Sequence, residues 1–251
     1  MKYNQSNLRF VLGAVLFVGI LFFGPLTSIA QNSPTASSVL EPVGTHAILG
    51  KVDGIDVEAI VQSPSNEITP LQVICVFEYK ENDIFTSPPA LPAMANGLVH
   101  VDKQLNGLLT DLRRSGKFAG HAQETLLLAP PPGTIAASKL LIIGLGNRND
   151  FTPAMMINIG RTAMREALRL GVSTFAFASD LKDGGIDSPT ALIAKNVVTG
   201  ALDGYETDLY LQSKNAASKK QLTKITLLAG QAFYDPSSAA IRDFINNYQN
   251  K

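Results

Sequence analysis

The residues with the clearest potential for chemistry lie where an apolar run gives way to a polar loop. Gly144 and Gly146 end the run, Asn147 and Arg148 begin the loop, and Thr152-Pro153 then opens a helix. Amide groups at a helix N-terminus bind anions, and glycines allow a phosphate to approach the backbone. These four residues are therefore candidates for ligand binding, with Arg148 supplying positive charge. The interpretation that we favour is that the glycines let the strand pack closely against the next helix.

Three acidic residues, Asp180, Asp183 and Asp187, follow the next predicted strand. A pair of catalytic metal ions needs several converging carboxylates, which such a cluster could supply. Asp and Gly are also the residues that turns require for side-chain capping and for positive φ, and we favour this interpretation. We therefore predict no metal site and add only Asp180 to the ligand-binding candidates. An enzyme site formed by residues 147–150 and 180–187 is the open alternative.

Other potentially reactive residues give no further site. The three histidines lack the spacing of metal-binding motifs, and no G-x-S-x-G sequence is present for a serine nucleophile. Three arginines four residues apart could bind an acidic partner, but a solvated helix face is the interpretation that we favour. These two sets are His46, His100 and His121, and Arg161, Arg165 and Arg169.

The elements that must position these residues alternate between strands and helices. Apolar runs flanked by turn residues predict strands, and Asp53-Gly54 predicts a two-residue hairpin between the first two. The predicted strands are His46–Val52, Ile55–Gln62, Leu71–Tyr79, Thr125–Ala129, Leu140–Leu145, Val172–Ala178 and Lys224–Ala229. Helical periodicity and capping residues predict helices over 102–116, 153–170 and 188–204. This alternation indicates an α/β fold with a mostly parallel sheet covered on both faces.

The composition indicates a folded domain and excludes one class of partner. Of the 251 residues, 45% are hydrophobic and 17% are charged, which is typical of a chain with a buried core. Lys plus Arg equals Asp plus Glu at 21 each, so no basic field is available to neutralise the phosphates of a nucleic acid. Cys75 is the single cysteine and lies in an apolar run, where packing in a strand is the favoured interpretation.

The first thirty residues have the pattern of a secretory signal peptide. Two positive charges precede an apolar run, and the small residues Ser28 and Ala30 occupy the positions that a signal peptidase recognises before its cleavage site. We expect residues 1–30 to be removed after Ala30 and the product to be periplasmic or extracellular. Residues 31–43, rich in Ser, Pro and Thr, are predicted to be a flexible tether. An uncleaved membrane anchor is the alternative and would be the chain's one link to a membrane.

Three ordered blocks resemble the N-terminal domain of the leucyl aminopeptidase family, also called the cytosol aminopeptidase family. They are Phe118–Leu127 (FAGHAQETLL), Leu140–Phe151 (LLIIGLGNRNDF) and Val198–Tyr210 (VTGALDGYETDLY). The resemblance implies a three-layer α/β/α fold like that of macro domains, with a mixed and mostly parallel sheet. We assign residues 44–231 to this domain and residues 232–251 to a C-terminal helix.

Catalysis in that family belongs to a C-terminal domain in which Asp, Glu and Lys side chains, several of them in an NTDAEGRL motif, hold two metals. No segment here matches that motif, so the resemblance carries over no catalytic residue and no cofactor. We therefore expect an exported, non-catalytic module that binds a ligand or assists a protein partner, such as an aminopeptidase. The alternatives are a macro-type receptor for a nucleotide or an ADP-ribose-like ligand, and part of a metalloaminopeptidase whose catalytic half is elsewhere.

Overall fold

A seven-stranded mixed sheet forms the centre of the fold. The computed structural model describes residues 40–86, 91–179, 181–219 and 222–248, so the predicted signal peptide, residues 31–39 of the tether and Asp180 lie outside the described residues. The strands are β1 (His46–Val52), β2 (Ile55–Val61), β3 (Gln72–Val76), β4 (Thr125–Leu128), β5 (Leu140–Gly144), β6 (Thr174–Phe177) and β7 (Lys224–Ala229). Their order is β1-β2-β7-β6-β3-β5-β4. The five central strands are parallel and the two edge strands are antiparallel, which confirms the predicted sheet.

Helices cover both faces of this sheet. They are α1 (Asp83–Thr86), α2 (Gly97–Gln104), α3 (Leu108–Arg114), α4 (Met155–Leu170), α5 (Thr190–Ser213) and α6 (Tyr234–Tyr248). One core joins strand residues such as Val73 to buried residues of α4, α5 and α6, and the other joins Ile74 to buried residues of α1, α2 and α3. Because adjacent strand residues point to opposite faces, these two cores define three layers. The α/β/α fold is therefore confirmed. No helix among the described residues is long and apolar enough to cross a membrane.

The β1–β2 hairpin and the β2–β7 pair build one end of the sheet. Asp53 and Gly54 have φ values of 48° and 87°, as a two-residue turn of type I′ requires. β2 pairs in parallel with β7, although Glu58 and Lys224 are 166 positions apart in sequence. Burial would raise the pKa of Glu58, but hydrogen bonds from Lys224 and Thr226 lower it below its ordinary value.

The prediction of a single helix over residues 102–116 is wrong, because the structure has two helices in this region. α2 ends at Gln104 and α3 begins at Leu108, and between them Asn106 and Gly107 have positive φ values of 57° and 82°. Asp102 lies inside α2, yet its carboxylate accepts hydrogen bonds from the backbone N–H and the hydroxyl of Thr110, at 2.9 and 2.7 Å. Asp102 therefore caps the second helix rather than the first.

Helices α4 and α5 approach each other through glycines. A Cβ atom on Gly160 would lie 2.1 Å from the carbonyl oxygen of Val197, and one on Gly200 would lie 1.7 Å from that of Ile157. Gly171 ends α4 in the left-handed conformation, as expected. The helix predicted over residues 188–204 is too short, because Gly204 is a buried residue inside α5, which continues to Ser213.

We expect Gly200→Ala to destabilise the protein by roughly 1–3 kcal/mol, because the added methyl group would overlap the backbone of α4. Gly204→Ala, in the same helix as Gly200, is the matched control, since its Cβ would meet its nearest neighbours in α4 only at 3.3 Å. Urea unfolding of both variants measures the difference. Equal midpoints for the two variants would contradict the close helix contact.

Candidate functional site

The two predicted glycines pack against the chain itself. A Cβ on Gly144 would lie 2.0 Å from the carbonyl oxygen of His121, and Gly146 has a φ of 78°. Gly146 donates a backbone hydrogen bond of 3.0 Å to Gly120. The close packing that we favoured is therefore present, although the partner is the loop before β4 and not the next helix. Ligand binding at Gly144 and Gly146 stays a prediction.

Asn147 and the start of α4 are engaged in local backbone structure. The Asn147 side chain accepts a hydrogen bond of 2.9 Å from the N–H of Asn149 and so caps a 3-10 turn at Arg148–Asp150. The first three amide groups of α4, which begins at Met155, donate to carbonyl oxygens of the residues just before it. The helix start that was the candidate for phosphate binding thus has its first amides satisfied by its own chain.

Arg148 connects three separate loops. Its Nη1 donates to the carbonyl oxygen of Glu78 at 2.8 Å, its Nε donates to that of Gly184 at 3.2 Å, and its Nη2 binds Asp83. The guanidinium also lies 5.1 Å from the ring centre of Phe77. Only 18% of the side chain is exposed. All three nitrogens therefore bind protein groups, and ligand binding by Arg148 stays a prediction.

Asp83 is the buried anchor of this arrangement. Its carboxylate accepts hydrogen bonds from Arg113 Nη1 at 2.9 Å and Nη2 at 2.5 Å, and from Arg148. The side chains of Asp83 and Arg113 are 2% and 1% exposed. Burial alone would raise the pKa of Asp83, but the hydrogen bonds and charges of the two arginines lower it. Sequence reasoning missed this cluster, because its members lie on elements that are far apart along the chain.

The acidic residues after β6 act in turns and caps. The Asp183 carboxylate accepts hydrogen bonds from the amides of Gly97 and Leu98, at 2.8 and 3.3 Å, and so caps α2. Asp187 is exposed and pairs with Lys182 at 2.6 Å. Within the described ranges, no group of three or more His, Cys, Asp or Glu residues is placed to hold a metal ion. Asp180 lies outside those ranges, and its predicted role stays a prediction.

A cavity of about 380 Å³ opens at the carboxyl ends of β2, β6 and β7. Its apolar lining includes Ala59, Val61, Phe177, Ile193, Ala194, Val197 and Leu227, and its polar lining includes Ser63, His100, Lys182, Asp183, Ser188, Thr190 and Ser237. None of the four predicted residues from Gly144 to Arg148 lines it. Ligands of open α/β sheets bind outside the carboxyl ends of parallel strands, so this cavity is the candidate site.

Polar groups from several elements converge on the cavity. Pro189 occupies the N-cap position of α5 and makes no side-chain hydrogen bond there. Among the described residues, the first amide of α5 that donates to a backbone carbonyl oxygen is that of Ile193. Ser237 lines the cavity with only 6% of its surface exposed, and its hydroxyl has no hydrogen bond to any described residue. On the opposite wall, Ser63 Oγ lies 3.4 Å from His100 Nδ1. The cavity can therefore offer donors to a polar or anionic ligand.

Sequence reasoning named residues 180–187, and Leu181, Lys182 and Asp183 of this range line the cavity. It missed the other walls, because they come from distant segments. Polar or small residues do follow three of the strands, namely Ser63 after β2, Ser179 after β6 and Gly230 after β7. That signal becomes useful only when the strand order is known, since the three strands are neighbours in space and not in sequence.

The strand order, the three layers and the site at the carboxyl edge define a macrodomain-like α/β protein. At 12% identity, a mutant of the Oceanobacillus iheyensis macrodomain with ADPR superposes with a TM-score of 0.53, covering 82% of this chain and all of the other. A mutant of tomato leucine aminopeptidase gives a TM-score of 0.53 at 21% identity, over 77% of this chain and 37% of the other. Both likenesses show the fold.

The family is shown by the sequence comparison. The model of the N-terminal domain of the cytosol aminopeptidase family matches residues 84–215, more than half of the chain. A probable cytosol aminopeptidase of Geobacter sp. is 29% identical over 176 residues, which are 70% of this chain and 32% of the relative. The chain belongs to the cytosol aminopeptidase family and spans a third or less of the length of the curated relatives that it matches.

We expect Asp83→Asn to lower the free energy of unfolding by about 3–5 kcal/mol, because it leaves the buried Arg113 and its neighbour Arg148 without a carboxylate. Asp111→Asn is the control, since Asp111 is 71% exposed and lies 3.8 Å from Arg114, and its unfolding midpoint should not change. Chemical denaturation measures both variants. A loss for Asp83→Asn no larger than for the control would contradict the anchoring role.

The contribution of Asp83 to stability should depend on pH, which a comparison of wild type with Asp83→Asn can test. The pKa of Asp83 is lowered from its ordinary value of 3.8 on folding, so its stabilisation is complete above that value. The stability difference between wild type and Asp83→Asn should therefore narrow as the pH falls through 3.8 towards the lowered pKa.

Proposed function

We propose that the protein is an exported, non-catalytic binding domain whose site is the cavity at the carboxyl ends of β2, β6 and β7. The observation that carries this proposal is the cavity itself. Its volume of about 380 Å³ lies within the usual range for small-molecule sites, and its lining is mainly apolar with a few polar groups. Such a lining suits a ligand with a flat apolar part and a polar or charged part.

The charges around the cavity favour an anionic ligand. The amides at the start of α5 carry the positive end of the helix dipole. Lys182 also lies in the wall, although its ammonium is paired with the exposed Asp187. Among the described residues, Asp183 is the acidic residue that lines the cavity, and its carboxylate accepts hydrogen bonds from the amides of α2. A macrodomain of similar fold is known with ADPR. We therefore propose a nucleotide or an ADP-ribose-like molecule as the ligand class.

ADP-ribose is expected to stabilise the purified protein by about 2.7 kcal/mol when present at 100 times its Kd. Ala194→Leu, which places a larger side chain in the cavity wall, should weaken binding by at least about tenfold, as measured by calorimetry. Ala191→Leu is the matched control, because Ala191 lies in the same turn of α5 but does not line the cavity.

Two results would contradict the proposed ligand class. One is the absence of a shift with ADP-ribose, ADP and AMP at millimolar concentration. The other is equal binding by Ala194→Leu and Ala191→Leu, which would place the ligand outside the cavity.

Export and the lack of catalysis are supported by sequence alone. Residues 1–30 have the charge, the apolar run and the small residues of a cleaved signal peptide. The 251 residues contain no match to the NTDAEGRL motif that carries metal ligands in the family. We propose that these residues do not hydrolyse peptides by themselves, and that membership of the family makes an aminopeptidase a candidate protein partner.

Protein purified from the exported fraction is expected to begin at Gln31 and to release no leucine from leucyl substrates when loaded with manganese or zinc. Mass spectrometry and a leucine-release assay measure these two properties. Turnover that a chelator abolishes would overturn the non-catalytic proposal, and an intact N-terminus would overturn signal cleavage. Co-purification with a full-length aminopeptidase would favour an accessory role over an independent binding domain.

A further inference from the structure

We propose that Arg148 is a positioning residue that sets one wall of the cavity from outside it. The wall in question is the cavity loop, which we define as residues 181–189 between β6 and α5. Leu181, Lys182, Asp183 and Ser188 of this loop line the cavity, whereas Arg148 does not. The part of this inference that concerns ligand affinity rests on the proposed function, and the part that concerns the loop does not.

Arg148 bridges two loops that diverge at the carboxyl edge of the sheet. After β3 the chain continues to α1, α2 and α3 on one face of the sheet, and after β6 it continues to α5 on the other face. Because β3 and β6 are neighbours, the loops that follow them diverge at the carboxyl edge of the sheet. Arg148 bridges these loops by donating to the carbonyl oxygens of Glu78 and Gly184.

Arg148 is itself held in a fixed position. Its Nη2 binds the buried carboxylate of Asp83, which Arg113 holds from the other side. Arg113 also donates to the carbonyl oxygen of Phe77 at 2.8 Å. The bridge therefore extends from the interior of the domain, and its outer end is the Gly184 carbonyl in the cavity loop.

The contact at Gly184 lies in the centre of the loop's own hydrogen bonds. Gly185 donates to the carbonyl oxygen of Lys182 at 3.1 Å, and Ile186 donates to that of Leu181 at 2.9 Å. The preceding residue, Asp183, caps α2. Two neighbouring residues of the loop, Asp183 and Gly184, thus bind residues outside it, and the Arg148 bond is the attachment at Gly184.

Only a guanidinium can make this bridge. Its three nitrogens donate in different directions to a carboxylate and two carbonyl oxygens, whereas a lysine ammonium is a single point of charge on a flexible stem. Arg148→Lys should therefore keep the charge beside Asp83 and lose the attachment to Gly184. This difference separates the stability of the ion pair from the position of the loop.

The experiment compares Arg148→Lys and Arg148→Met with wild type. Amide hydrogen exchange followed by NMR should show rates at Gly185 and Ile186 at least about tenfold higher in both variants, because local opening becomes easier. The urea midpoint of Arg148→Lys should stay close to that of wild type, while that of Arg148→Met should fall. Arg114→Met is the control, since Arg114 binds Tyr79 and Glu81 and has no contact with the loop.

Affinity for ADP-ribose supplies the second measurement. Both Arg148 variants should bind it about tenfold more weakly than Arg114→Met does, although no substituted atom touches the cavity. Unchanged exchange at Gly185 and Ile186 in Arg148→Lys would overturn the positioning role. If wild type does not bind ADP-ribose, the proposed ligand class fails, and the exchange rates alone decide the role of Arg148.

Discussion

The buried carboxylate of Asp83 is the point at which the loops of the carboxyl edge meet. Two arginines reach it from α3 and from the turn after β5, and each also donates to a backbone carbonyl oxygen of another loop. Taking these charges out of water has a large cost, so the cluster is not by itself a source of stability. Its effect is to select one geometry, because any other arrangement leaves a charge without a partner.

Much of the potential for binding anions in this chain is used by the chain itself. The Glu124 carboxylate accepts hydrogen bonds from three successive amides, Ala119 to His121, and Asp183 does the same for the start of α2. Gly144 and Gly146, two of the predicted ligand-binding residues, pack closely against the loop before β4. The start of α5 differs, because no side chain among the described residues caps it and it borders an open cavity.

The sequence predicts the parts of the fold that depend on residues close together along the chain. Apolar runs and turn pairs such as Asp53-Gly54 placed all seven strands, because strand period and turn chemistry depend on neighbouring residues. The leucine spacing around Asp102 concealed the break at Asn106-Gly107, which only backbone conformation reveals. Arg148 was selected from the sequence for its charge, but its contacts with Asp83 and Gly184 could not be predicted, because these residues become its neighbours only after the strands are ordered.

The pairing of β2 with β7 constrains the order in which the domain can fold. β2 can form its hairpin with β1 early, since two residues separate the strands. Its other edge stays open until residues 224–229 are available, because no other strand occupies that place in the sheet. Such distant pairing makes folding slow, since a long loop must close before its contacts form. During synthesis β2, which is made early, therefore stays unpaired on one edge until β7 has been made. A chain shortened before Lys224 would expose one edge of β2 and one of β6 to neighbouring molecules.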